Sequence, residues 1–223
     1  MKLTQLSKHV YKCAFTIQMP ISVPINVWFI QNGDDIYIVD TGVQQLVDQQ
    51  MKAALSLGTP KAILLTHGHN DHIGGVAKWL EKYDLPVYAH EKELPYIDGE
   101  IPYPKKDSPE NTGVAGKVQP LTEEILQHTP IRFYHTPGHA PGHVVYHHEV
   151  DNILLAGDLF ITTSEKLHPP VARFTSYMKE NIDSGAIVEQ LKPDRISSSH
   201  GQDLVGYSDE LYPIYVFHYR ELD

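Results

Sequence analysis

The sequence predicts a layered α/β sandwich, because short apolar runs typical of strands fall into two groups with helical segments between them. The first group lies before residue 90, and the second begins after residue 130. At 223 residues the chain can bury one large core, and the sequence contains no internal repeat, low-complexity tract or linker. We therefore expect residues 1–223 to form a single domain.

The predicted strands are short apolar runs that end in polar or turn-forming residues. They cover residues 10–13, 27–30, 36–39, 62–65, 86–89, 131–135, 144–147, 153–156 and 194–198. The turn residues 31–35 predict a hairpin between the second and third of these strands. Helical spacing of apolar residues predicts helices over 44–57, 72–83 and 177–190.

Composition and charge exclude several classes of partner. The 28 acidic and 18 basic residues give a formal charge of -10, which repels nucleic-acid phosphates, and no apolar run is long enough to span a membrane. The single cysteine, Cys13, excludes internal disulfides and suits a reducing compartment. Residues 1–8 lack the features of a signal peptide. We expect a cytoplasmic protein that binds a small molecule.

Four metal-ligand side chains lie within six residues, directly after the predicted strand at 62–65. They are His67, His69, Asp71 and His72. Three imidazoles and a carboxylate suit zinc or iron better than calcium or magnesium. The adjacent Asp71 and His72 point in different directions, so the cluster suggests two metal ions rather than one.

Other predicted strands also run into residues that can bind a metal. Asp40, Asp158 and His200 each follow an apolar strand, and His139 and His143 lie between two strands. A single aspartate at a strand end is more often a turn residue. Together with the four-ligand cluster, however, these residues predict one site at the edge of one scaffold.

The order of these motifs resembles that of the metallo-β-lactamase superfamily. The matching segments span residues 39–201 and comprise Val39-Asp40-Thr41-Gly42, His67-x-His69-x-Asp71-His72, Thr136-Pro137-Gly138-His139, Gly157-Asp158 and His200-Gly201. The resemblance implies a four-layer αββα sandwich with a dinuclear metal site at one sheet edge.

The resemblance also implies a role for each motif residue. One metal is expected at His67, His69 and His139, and a second at Asp71, His72 and His200, with Asp158 bridging the two. Asp40 is expected to orient neighbouring ligands through hydrogen bonds. His143 is expected to support the site or the fold without binding metal.

Two metals that share a water molecule lower its pKa, which provides a hydroxide that attacks a carbonyl. Asp71 is the candidate for orienting this water and moving its proton. We therefore expect a hydrolase acting on an ester, lactone, thioester or amide, with two divalent ions, most suitably zinc, although iron or manganese also fit. The alternatives are an oxidoreductase that resembles the mononuclear-iron persulfide dioxygenases and a non-enzymatic module with a structural zinc.

The substrate and the oligomeric state stay open. Among the family's lactonases a tyrosine lies three residues after the bridging aspartate, where this chain has Ile161. Residues 91–119 contain four prolines and no sustained helical or strand-like spacing of apolar residues. This pattern predicts a long loop and a candidate substrate lid. The candidate pocket residues are Tyr96, Tyr103, His168 and Phe174. The aromatic C-terminal segment fits either a monomer core or a homodimer face.

Overall fold

Two β-sheets face each other at the centre of the molecule, for which the computed structural model describes residues 1–18 and 22–222. The first sheet has the strand order β1 to β7, and β4 to β7 are parallel. These strands are β1 Lys2–Gln5, β2 Val10–Gln18, β3 Ser22–Asn32, β4 Asp35–Val39, β5 Thr59–Leu64, β6 Val87–Ala89 and β7 Val118–Pro120.

The second sheet contains five strands and lies against one face of the first. In spatial order they are β14 Leu204–Val205, β13 Arg195–Ser198, β10 Ile153–Gly157, β9 Val144–His148 and β8 Ile131–His135. A short ribbon joins β11 Ile161–Thr162 to β12 Leu167–His168. All nine predicted strands are present, and the predicted hairpin joins β3 to β4.

Helices cover the outer faces of both sheets. The helices α1 to α5 span Val47–Leu57, Asn70–Ile73, Val76–Leu80, Leu94–Ile97 and Glu123–Leu126. The helices α6 to α8 span Met178–Ser184, Ile187–Leu191 and Leu211–Tyr219. Within the described residues 1–18 and 22–222, no helix is long and apolar enough to cross a membrane.

The strands bury both of their faces, which produces three apolar layers between four layers of structure. In β3, Phe29 packs towards the helices while Trp28 and Ile30 pack between the sheets. In β10, Leu155 packs between the sheets and Leu154 packs against the helices of the other side. Because successive side chains of a strand point to opposite faces, such apolar runs suit the two central layers of an αββα sandwich.

Two predicted helices are shorter than the sequence pattern indicates. The helix predicted over 72–83 is interrupted because the Gly75 N–H donates to the Gly42 carbonyl instead of continuing the helix. The helix predicted over 177–190 breaks between α6 and α7, where the Ala186 N–H bonds to the Asp183 carbonyl three residues back. Such bonds tighten the backbone and end the regular helix.

The prediction of an irregular loop over residues 91–119 is wrong for part of this segment. A short 3₁₀ helix at Glu91–Glu93 leads into α4, and the segment closes with the start of β7 at the edge of the first sheet. The side chain of Ile97 in α4 is buried in the core under the first sheet. This part of the segment is therefore packed structure rather than a free lid.

A buried polar chain links the two sheets. Trp28 Nε1 of β3 donates to Ser197 Oγ of β13 at 2.9 Å, and Ser197 Oγ donates to Asp203 Oδ1 at 2.6 Å. Lys12 of β2 pairs with Asp203 at 2.7 Å. The indole N–H of Trp28 thus has its hydrogen-bond partner on the opposite sheet.

Ser197→Ala is expected to lower the free energy of unfolding by about 1–3 kcal/mol, because it leaves the buried indole N–H without a partner. Urea unfolding followed by Trp fluorescence measures this change. The exposed Ser108→Ala serves as the control and is expected to change stability by less than about 0.5 kcal/mol. Equal stability of the two variants would contradict the role of Ser197.

Candidate metal centre

The predicted ligands lie on loops that leave the same edge of the two sheets. The β5 strand runs into the loop with His67 and His69, and the loop between β8 and β9 contains His139. Asp158 follows β10, and His200 follows β13, which pairs in parallel with β10. Since parallel strands end on the same side of a sheet, their loops converge there.

Three imidazole nitrogens form the first cluster. His69 Nδ1 lies 3.0 Å from His67 Nε2 and 3.0 Å from His139 Nε2. Ligand atoms around a tetrahedral zinc ion, with bonds of about 2.0–2.1 Å, lie about 3.3 Å apart. The three nitrogens therefore have nearly the spacing that a tetrahedral metal ion requires.

The second cluster contains Asp71, His72 and His200, whose ligand atoms all lie within 4.8 Å of one another. Asp71 Oδ2 is 3.2 Å from His200 Nε2 and 3.8 Å from His72 Nε2. Both imidazoles thus direct Nε2 towards the same carboxylate. The structure brings these three residues together, and their binding of one metal ion stays a prediction.

Asp158 contacts both clusters. Its Oδ2 lies 3.3 Å from His139 Nε2 of the first cluster and 3.4 Å from His200 Nε2 of the second. Its Oδ1 lies 3.4 Å from His72 Nε2. One carboxylate therefore lies between two groups of imidazoles.

Asp40 holds the loop that contains the first four predicted ligands. Its Oδ1 accepts the Thr66 N–H at 2.8 Å, and its Oδ2 accepts the Thr66 hydroxyl at 2.7 Å and faces His72 Nδ1 at 2.9 Å. Asp40 is fully buried, with φ at 58°, a left-handed conformation that aspartate tolerates better than most residues. The bond at Nδ1 leaves the Nε2 of His72 to face the cluster.

Similar bonds orient two further histidines. His200 Nδ1 donates to the Pro24 carbonyl at 2.8 Å, and His139 Nδ1 lies 3.2 Å from the Thr175 hydroxyl. Each bond fixes the ring so that Nε2 faces the cluster, as the outer partners of metal-bound histidines do. Sequence analysis missed Pro24 and Thr175, since neither lies next to a motif.

His143 bonds to the loop of Asp158 rather than facing the clusters. Its Nε2 accepts the Asp158 N–H at 3.0 Å, and its Nδ1 lies 2.9 Å from the Thr136 hydroxyl. Burial lowers the pKa of His143 to about 3, which keeps the ring neutral and able to accept. Its position matches a supporting role.

The imidazoles of the first cluster are neutral. Burial, reinforced by the neighbouring histidines, lowers the pKa of His67 and His139 well below the ordinary value, and burial lowers that of His69 to about 4. Neutral imidazole has a free lone pair, which is the form that binds a metal. Three such lone pairs converge in the first cluster.

The residues of the second cluster and Asp158 instead favour their charged forms. Burial disfavours charge on these residues, but the mutual attraction of carboxylates and imidazoles prevails. The pKa of Asp158 falls well below the ordinary value near His200 and His72, and that of Asp71 is lowered by His72 and by its hydrogen bond to His200. Asp158 in turn raises the pKa of His200 to about 10 and that of His72 well above its usual range.

These residues fit a metal centre. Among the residues that the structure describes, His72 Nε2 and Asp158 Oδ1 find no hydrogen-bond partner and are buried. Leaving such atoms unpaired is costly, and a metal ion satisfies both. Three overlapping groups of potential ligands, each within 4.8 Å, join the seven predicted ligand residues into one centre.

The four candidate pocket residues lie in different environments. Tyr103 is only 2% exposed, and its ring packs against His69 at 4.7 Å between ring centroids. It therefore lies in the wall of the site beside His69 rather than in an open lid, and its contact with substrate stays a prediction. Tyr96 is half-buried and stacks on Tyr103, while His168 Nδ1 lies 2.9 Å from the Tyr219 hydroxyl of α8.

Phe174 is the most exposed of the four, at 47%. The segment that contains it leads directly into Thr175, whose hydroxyl contacts His139. Arg173 lies over its ring, with the guanidinium carbon 4.9 Å from the centroid. Phe174 therefore stays a candidate for contact with substrate.

The family is shown by comparison with known sequences. The model of the metallo-beta-lactamase superfamily matches residues 21–200. The probable metallo-hydrolase YybB of Bacillus subtilis (strain 168) is 58% identical, over 99% of this chain and 100% of YybB. The probable metallo-hydrolase YflN of the same organism is 31% identical, over 81% of this chain and 82% of YflN. The chain belongs to the metallo-beta-lactamase superfamily, and its class is that of a metallo-hydrolase.

Solved structures share the fold. A metallo-beta-lactamase from Erythrobacter litoralis, with beta mercaptoethanol in its active site, has a TM-score of 0.73 at 18% identity, covering 91% of this chain and 90% of that one. FIM-1 from Pseudomonas aeruginosa, in its mono-zinc form, has a TM-score of 0.71 at 19% identity, covering 97% and 93%. The predicted αββα sandwich is confirmed.

Zinc binding at about pH 8 is expected to release at least one proton per protein. Because the pKa of His200 is raised to about 10 in the metal-free protein, its ring keeps a proton at a pH where an ordinary histidine has lost it. The proton must leave before Nε2 can bind zinc, so binding tightens as the pH rises towards 10. Isothermal titration calorimetry in buffers of different protonation enthalpy counts the protons.

His200→Ala is the matched control and is expected to release fewer protons at the same pH. The variant keeps the first cluster intact, so zinc still binds and the comparison is direct. Equal proton release by the two proteins, or none by the wild type, would contradict the assignment of the raised pKa to His200.

Proposed function

We propose that the chain is a two-metal hydrolase that cleaves a carbonyl compound, namely an ester, lactone, thioester or amide. The observation that supports this most directly is the position of Asp158. Its carboxylate lies within 3.4 Å of nitrogens from both clusters. A carboxylate in that position suits a bridge between two ions.

The proposed ligands divide into two sets. His67, His69 and His139 would hold the first ion, and Asp71, His72 and His200 the second, with Asp158 shared. The donors are imidazole and carboxylate, which suit zinc and also accept iron or manganese. Zinc is the first choice, and the mono-zinc form of the structural neighbour FIM-1 supports it.

When bound, the two ions supply Lewis acidity and a water molecule acidified towards neutral pH. Asp71 differs from Asp158 in access to solvent, since their side chains are 41% and 9% exposed. Asp71 can therefore approach both solvent and substrate, and its carboxylate would orient the attacking water and accept its proton. Asp158 is too enclosed for that role and would serve as a ligand.

The remaining residues keep this geometry fixed during turnover. Asp40 holds His72, and the Thr175 hydroxyl and Pro24 carbonyl hold His139 and His200. None of these groups needs to change its protonation state. Positioning of this kind places the reacting groups before substrate arrives.

The proposal includes a small-molecule substrate and a cytoplasmic location. The net charge of -10 disfavours nucleic acid, and the single Cys13 is buried, with its pKa raised by burial to about 12. Such a thiol is unreactive, which suits a structural role. We also propose that the chain forms a single domain and acts as a monomer or homodimer.

Screening the purified protein, loaded in turn with zinc, manganese and iron, against lactones, thioesters, esters and cephalosporins tests the proposal. We expect hydrolysis of at least one class with two ions bound per chain, and loss of activity on chelation. One iron per chain with oxygen uptake would instead favour the dioxygenase alternative. Metal binding without any turnover would favour the structural-zinc alternative.

His69→Ala and Asp71→Ala are each expected to reduce kcat/KM by at least about a thousandfold, because each removes a proposed ligand and Asp71 also handles the proton. Metal analysis of the same variants should show fewer than two ions per chain. Steady-state kinetics on the substrate found by the screen measures the loss.

The matched controls are His128→Ala and Asp84→Ala, which remove the same side chains from exposed positions. Both are expected to keep wild-type turnover and metal content. Wild-type activity in either His69→Ala or Asp71→Ala would refute the proposed site.

A further inference from the structure

Glu93 is a fully buried carboxylate that lies between two of the ligand-bearing loops. Its Oε1 accepts the Gly68 N–H at 2.9 Å, and its Oε2 accepts the Gly142 N–H at 2.7 Å. Gly68 separates His67 from His69, and Gly142 lies in the loop between β8 and β9, which also contains His139. One side chain thus bonds to the backbone of both halves of the first cluster.

The two glycines allow this close approach. A Cβ added to Gly142 would lie 2.5 Å from the Glu93 backbone nitrogen and 2.7 Å from its Oε2. A Cβ added to Gly68 would lie 2.5 Å from the Tyr103 hydroxyl and 2.6 Å from the Ile97 side chain. Both loops therefore press directly against Glu93 and its neighbours.

Tyr103 completes the arrangement. Its hydroxyl donates to Glu93 Oε1 at 2.5 Å, and its ring packs edge-on against the His69 ring. The carboxylate thus accepts three hydrogen bonds, two at Oε1 and one at Oε2.

We propose that Glu93 is a positioning residue of the metal centre, which sets the separation between the loop of His67 and His69 and the loop of His139. It touches neither metal nor substrate. It acts through the Gly68 and Gly142 peptides, and through Tyr103 on the His69 ring. The inference rests on the proposed ligand roles of the three histidines.

Only a carboxylate of this length meets the requirements of the position. A glutamine carries an amide NH2 group in place of one carboxylate oxygen. At the Oε2 position this donor would face the Gly142 N–H. At the Oε1 position it would face both the Gly68 N–H and the Tyr103 hydroxyl. An aspartate is one methylene shorter and cannot reach both loops from the same backbone position. A buried donor facing another donor is costly, so the two loops would separate.

Glu93→Gln is expected to weaken binding of the ion at His67, His69 and His139 by about 10–100-fold, the usual effect of removing an outer partner of metal ligands. Competition with a chromophoric chelator measures the dissociation constant for zinc. Cobalt(II) substitution provides a second readout, because the visible absorption of the bound ion reports its ligand geometry. We expect this absorption to weaken or shift in Glu93→Gln.

Tyr103→Phe is the milder variant and removes only one of the three bonds. It is expected to weaken zinc binding severalfold, which keeps the inference testable if Glu93→Gln does not fold. Asp151→Asn is the matched control. The Asp151 carboxylate is also largely buried and hydrogen-bonded, to His9 and Ser7, but it lies in the turn at the other end of β9 and β10.

Asp151 lies with His9 and His148 in a separate group of potential ligands. Asp151→Asn is therefore expected to lower the thermal stability while leaving the zinc affinity of the first cluster unchanged. Wild-type zinc affinity and spectrum in Glu93→Gln or Tyr103→Phe, with only a lower Tm, would overturn the inference. If the wild-type protein itself binds no metal at the three histidines, the proposed function fails instead, and the two failures are therefore distinguishable.

Discussion

The whole site depends on how the two sheets are joined at one edge. There the Val144 N–H, at the start of β9 in the second sheet, donates to the Thr66 carbonyl, just beyond β5 of the first sheet, at 2.9 Å. Thr66 precedes His67, and Val144 follows His143. The same threonine bonds to Asp40 through its N–H and hydroxyl. The loops that contain the histidines therefore cannot shift without breaking bonds between the sheets.

This junction explains how the chain holds so many polar side chains in a buried site. In the first cluster, His69 Nδ1 lies 3.0 Å from both His67 Nε2 and His139 Nε2. Within the described residues, His72 Nε2 and Asp158 Oδ1 have no hydrogen-bond partners. Burial of such groups is unfavourable unless they are paired. Rigid loops on a packed sandwich can hold them in place, and metal ions satisfy them. The packing that makes these loops rigid therefore also positions the groups of the candidate site.

Much of the fold and site was predictable because the signals are local. Each proposed ligand follows a predicted strand within a few residues, as His67 follows the run that ends at Leu65, so both signals are visible in a short segment. Glycines limited the prediction of helices, because the Gly75 N–H bonds to a distant loop that no local pattern reveals. The sequence also did not reveal that Tyr103 is buried. Its burial against His69 depends on tertiary packing.

Glu93 is the clearest example of a residue of the site that the sequence does not predict. A glutamate in a polar, proline-rich segment is usually exposed, so composition predicts a surface residue. Its partners, Gly68 and Gly142, lie 25 and 49 residues away in sequence, and they participate through backbone N–H groups that have no residue-specific signal. Residues that support a site through the backbone are therefore the hardest to find without a structure.

Anomalous diffraction from crystals of the zinc-loaded protein, recorded above and below the zinc absorption edge, tests the central claim most directly. We predict two peaks per chain, one within bonding distance of His67, His69 and His139 and one within bonding distance of His72 and His200, with Asp158 between them. A single peak, or peaks remote from these side chains, would contradict the two-metal centre.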